Sequence, residues 1–112
     1  MENKTKGWRV GQAIDSLTSA GKAPSWSTVR ARFWKNEAYY RAEFYSEEAL
    51  ERMQRGRAPM HPKFNVPMEI HHIGGRDIPN PHRADNLEAL WPWEHAAVDE
   101  FRHYTGPRPK GY

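Results

Sequence analysis

The amino-acid sequence predicts an α+β protein, with a mainly helical N-terminal part followed by a strand–loop–strand–helix unit. Three observations carry this. Apolar residues recur at helical spacing through Trp26–Tyr40, and a second short helix with clear ends follows Ser46. The segment "VPMEIHHI", residues 66–73, instead puts Val66, Met68 and Ile70 on one face with Glu69 between them, as a strand does. Proline and glycine then cut the last third into short pieces. At 112 residues the chain fits a single domain, divided into a helical part (1–65), a strand–loop–strand–helix core (66–104) and a flexible tail (105–112).

Taken in order, the lead-in predicts a short helix near Val10–Ser19, stopped by Gly21 and Pro24. "SWSTVRARFWKNEAYY" predicts a longer one. Ser25 or Ser27 can cap it, and Trp26, Val29, Phe33 and Tyr40 form its apolar stripe. Arg30, Arg32 and Lys35 lie mostly off that stripe, either as ordinary surface charges or as a patch facing nucleic acid. "SEEALERMQRG" predicts a third helix, capped by Ser46 and stopped by Gly56. Glu47 and Glu48 suit its positive end, and Arg52 and Arg55 its negative end. After a proline-punctuated loop and the first strand, "GGRDIPNPHRAD" reads as a long turn and "NLEALW" as the returning strand. "PWEHAAVDEFRHY" is then a helix opened by Pro92 and closed before Gly106–Pro107.

Composition narrows the chemistry. There is no cysteine, which excludes a disulfide framework, a thiol nucleophile and cysteine-ligated zinc. Any metal must be held by His, Asp, Glu or Asn. No apolar run approaches the roughly 18 residues of a membrane span, and "MENKTKGW" has no signal-peptide core, so no membrane partner is expected. Charge is uneven: residues 1–66 hold 12 Lys/Arg against 7 Asp/Glu, and residues 67–112 hold 5 against 7. The basic half can follow a phosphate backbone, and the acidic half can hold a cation.

The histidines sharpen that reading. On a helical wheel with His95 at zero, Asp99 falls near 40° and His103 near 80°, opposite an apolar flank of Trp93, Ala97, Phe101 and Tyr104 at about 160–240°. Residues at i and i+4 sit one turn apart, close enough to reach one metal ion. The strand contributes His71 and His72, which point to opposite faces unless it ends or twists; Gly74–Gly75 permit such a departure. A doublet, an Asn86 on the returning strand, and a helix with His95 and Asp99 form a set of ligands converging from separate elements.

"MEIHHI", Asn86 in "ADNLEALW" and His95 in "WPWEHAAVD" resemble the His-Me finger nucleases, the HNH/endonuclease VII superfamily, over residues 66–104. The resemblance implies a ββα-metal motif, a β-hairpin and helix with one divalent cation between them. It implies His71 and His95 as metal ligands, His72 as the general base that takes a proton from water, and Asn86 as the residue tying the loop to the base-bearing strand. The third ligand falls at Asp99, where some relatives carry histidine. His103 is left as a reserve ligand or phosphate contact. Two imidazoles and a carboxylate accept Mg²⁺, Mn²⁺, Ni²⁺ or Zn²⁺. Arg76 is suited to hold the scissile phosphate. "GWRVGQAIDSLTSAGKAPSWSTVRARFWKNEAYY" and "WPWEHAAVDEFRHY" extend a wider resemblance over nearly the whole chain, to the C-terminal toxin domains of Rhs-repeat polymorphic toxins. That implies release from a parent Rhs polypeptide by a delivery system, without its own signal peptide. It also implies action on DNA in the cytoplasm of a target cell, and a cognate immunity protein.

The remaining candidates read more plainly. Glu69 shares the strand face of His71 and either orients a basic neighbour or is solvated. His61 and His82 are expected to be bystanders, and Trp91 and Trp93 to pack the helix on the hairpin. Other functions stay open: a non-catalytic, histidine-ligated metal module that binds nucleic acid, an RNase, or a hydrolase of another ester.

Overall fold

The computed structural model describes residues 7–112; Met1–Lys6, part of the segment read above as lacking a signal-peptide core, lie outside them. Among the described residues it is a mixed α+β arrangement of three α-helices, two short 3₁₀ helices and one two-stranded antiparallel sheet. Helix α1 spans Trp26–Tyr40, capped by Ser25, whose hydroxyl accepts the Thr28 N–H at 3.3 Å. Helix α2 spans Glu47–Gln54, with Ser46 accepting the Ala49 N–H at 3.2 Å and Glu47 and Glu48 in its first turn. Val29, Phe33 and Trp34 of α1 and Met53 of α2 are buried with Ile14, Ala38 and Leu87, and Met68 and Ile70 pack against them. Burial of each large aliphatic side chain or phenyl ring among these contributes about 1.5–3 kcal/mol. Tyr40, expected on the buried stripe, is instead 58% exposed and donates its hydroxyl to Gly11 O at 2.7 Å.

The hairpin pairs β1 (Glu69–His72) with β2 (Leu87–Leu90), with Glu69 opposite Leu90 and His72 opposite Leu87. Helix α3 (Pro92–Val98) follows directly, its start fixed by Pro92 at the first position and by Glu94, which accepts the Trp91 N–H at 2.8 Å. Trp91 and Trp93 stack at 5.9 Å, with His61 against both. His61 itself accepts the Lys63 and Phe64 N–H groups, so it shapes its own loop.

Two expectations are overturned. Val10–Ser19 is not a helix. The segment is a series of turns whose backbone groups bond α1 side chains: Asn36 reaches Gly11 and Gln12, and Arg32 reaches Ile14 and Ser16. Helix α3 stops at Val98, six residues early, so His103 and Phe101 leave the predicted wheel and both are exposed. Residues of the tail make contacts. Arg108 donates to the carbonyls of Tyr104 and Tyr112, and the Tyr112 ring lies 6.4 Å from Trp93.

Candidate metal centre

Strand alternation puts Glu69 and His71 on the face of β1 that meets α3 and turns His72 toward α1. His71 meets His95 of α3, with ring centroids 5.0 Å apart. Asp99 ends α3; its N–H still donates to His95 O at 3.0 Å, keeping the one-turn spacing although its own backbone is extended. One ligand atom each from His71, His95 and Asp99 lies within 4.8 Å of the other two. Asp99 Oδ2 is 3.5 Å from His95 Nε2 and 3.9 Å from His71 Nδ1. Its other oxygen accepts the Phe101 N–H at 2.9 Å, which fixes the carboxylate's rotation.

The donor set fits a divalent cation. Two imidazoles and one carboxylate are the ligands such ions take. A partner also sets the orientation of His95: its Nδ1 lies 2.8 Å from Glu69 Oε1, leaving Nε2 toward Asp99. Arg102 completes the chain, its Nε and Nη2 donating to the two Glu69 oxygens at 2.9 and 2.6 Å. Burial alone would raise the Glu69 carboxyl, but these bonds from Arg102 and His95 outweigh it and hold the group below its ordinary value. Glu69 is thus the orienting residue and not a solvated one. His103 is not among the grouped ligands.

The other face of β1 is different in kind. His72 is 9% exposed, its ring 5.0 Å from Trp26, and its Nε2 lies 3.0 Å from Nδ1 of His82. His82 is therefore no bystander; the loop brings it onto His72 and Trp26. Arg76 lies over the Trp26 ring at 5.0 Å. Burial first, then the positive charge of Arg76, pushes the His72 pKa down to about 4, so its imidazole is neutral at pH 7. His71 and His72 nonetheless border one open cleft of about 930 Å³, together with Arg76, His95 and Asp99.

Asn86 holds the hairpin loop. Its side-chain oxygen accepts the Gly74 N–H at 2.7 Å, and its amide donates to Pro81 O at 2.8 Å and Gly75 O at 3.1 Å. Gly75, at φ +84°, donates to His72 O at 3.0 Å and turns the chain away just past the doublet. Of the proposed nucleic-acid contacts, Arg30 is exposed next to this region. Arg32 is a correction: it is 7% exposed, tied to Ile14 O and Ser16 O, with its guanidinium over Trp8. Lys35 borders a separate recess with Val10 and Tyr39, away from the histidines.

No known protein family, curated protein or solved structure matches this chain. The residues themselves therefore carry the functional reading.

Proposed function

We propose that this chain is a metal-dependent endonuclease, with DNA as the expected substrate, built on a ββα-metal motif of the His-Me finger kind. The observation that carries the reading is the convergence of His71, His95 and Asp99 from β1 and α3, beside a second imidazole that belongs to neither ligand set nor surface. A bound divalent cation would polarise the phosphate and neutralise charge on the leaving oxygen. The chain supplies the rest. Neutral His72 accepts a proton from water, and this requires the tautomer in which Nε2–H donates to His82 Nδ1 and leaves His72 Nδ1 free. Arg76 binds phosphate oxygens, and Asn86 holds the turn that sets both. We further propose, from the Rhs-toxin resemblance, that the activity serves as an antibacterial toxin countered by an immunity protein.

The burial of His72 favours a second reading. In the opposite tautomer His82 donates, His72 keeps its proton on Nδ1, and the doublet's second member is structural; the chain is then a metal-bearing module that binds nucleic acid without cutting it. Plasmid and RNA incubated with Mg²⁺, Mn²⁺, Ni²⁺, Zn²⁺ or EDTA separate the two. Metal-dependent cutting, lost in His72→Ala, supports the endonuclease. Intact substrate under every metal ends that reading, and an RNA-only cut moves it to an RNase.

A further inference from the structure

A second recess, of about 510 Å³, opens beside the cation cleft, and the two share Ile70, Arg76 and His95. Three separate elements send an arginine to its wall: Arg30 from α1, Arg57 from the chain after α2, and Arg76 from the hairpin loop. All three are exposed, and among the described residues none forms an ion pair with a carboxylate. The acid on the same wall, Glu69, already has both oxygens engaged by Arg102 and His95. Nothing within the recess neutralises the three guanidinium groups.

The chain goes to some length to bring them together. Gly56 ends α2 with φ +83°, and a Cβ built there would lie 2.9 Å from the Cβ of Ala31. The end of α2 is therefore pressed onto α1 one residue past Arg30, and Arg57 emerges alongside. Its position is held by its own N–H, donated to Arg52 O at 3.0 Å, and by Arg52 Nε, donated to Ala58 O at 2.9 Å. Like charges gathered without a counter-charge oppose folding, and an anion relieves them. Guanidinium forks match phosphate oxygens in pairs.

We propose that Arg30 and Arg57 bind the backbone phosphate of a nucleic-acid strand next to the phosphate cut in the cation cleft, with Arg76, shared by both recesses, between the two phosphates. The assignment rests on the endonuclease reading for the position of the cut. It gives the strand a direction, from the end of α2 across Arg76 to His95, and it leaves Arg32 and Lys35 off the track.

The test is anisotropy of a fluorescein-labelled DNA duplex with the full chain in EDTA, repeated across a salt series. Arg57→Gln should lower the slope of log affinity against log salt by about 0.9, a loss of roughly eightfold at about 0.1 M salt. Arg55→Gln makes the same charge change at an exposed position off the recess, near Glu51, and should leave the slope unaltered. Circular dichroism checks that both variants fold. Equal losses in the two variants would reduce the effect to net charge and overturn the site, as would a wild type that binds no duplex. Plasmid cutting is read separately. Binding with the predicted slope but no cutting under any metal supports the phosphate site and sinks the endonuclease. Cutting that is unaffected by Arg57→Gln does the reverse.

Discussion

His71 and His72 are neighbours in sequence and occupy opposite environments. His71 faces acids: Asp99 across the cleft, and Glu69 through His95. His72 faces an indole, a second imidazole and an arginine, under cover. The period-two alternation of a strand produces this contrast with a single peptide bond. The first surroundings suit an imidazole that shares a cation, and the second keep one uncharged. One dipeptide can thus supply two chemistries because the layers on either side of it differ.

Variants that move one face without the other test how separate the two faces are. The largest effect is expected from His71→Ala or His95→Ala. Each should weaken metal binding by more than the roughly 10–100-fold typical of an orienting partner, and abolish cutting with it. Calorimetric titration with Ni²⁺ or Zn²⁺ reads the first, and plasmid relaxation the second. His72→Ala should lower the cutting rate by about 10²–10⁴ while metal affinity stays unchanged. A parallel loss of metal affinity would mean that the faces are not independent. Glu69→Gln comes next: with His95 less firmly held, metal affinity should fall by about 10–100-fold while the fold persists.

The smallest effect is on stability. The folded pKa of His72 lies near 4, below its ordinary 6.5, so the unfolded chain takes up that proton first. The contribution is complete above pH 6.5 and is lost as pH falls toward 4, with a slope of up to about 1.4 kcal/mol per pH unit. Urea unfolding at stepped pH should show this slope, and His72→Phe should flatten it. A slope that survives the substitution would assign the proton to another group.

Much of the candidate centre was legible in the sequence because the side chains that group there lie close to element boundaries that sequence marks well. Pro92 announces α3, so the spacing of His95 and Asp99 could be read, and the alternation in "MEIHH" put Glu69 with His71. The parts that depend on distant chain were not legible. Arg102 reaches Glu69 across 33 residues, from a segment where the helical pattern continues but the helix does not. No glycine or proline marks the stop at Val98, which is set by Asp99 turning to extended backbone. His82 sits in a loop with no periodicity at all. Arg32 failed for a different reason: a charge off the apolar stripe is normally solvated, but here it replaces the backbone partners that a helix over Val10–Ser19 would have made for itself.

Asn86 has a consequence for engineering. One amide clasps the hairpin loop at Gly74, Gly75 and Pro81, so both feet of the loop are anchored independently of what lies between them. Extra residues spliced between Asp77 and Ile78 would bulge outward like slack in a knotted cord. The register from Glu69 to Leu90 would survive, and the loop tip would offer a place to hang a fluorophore or a foreign epitope.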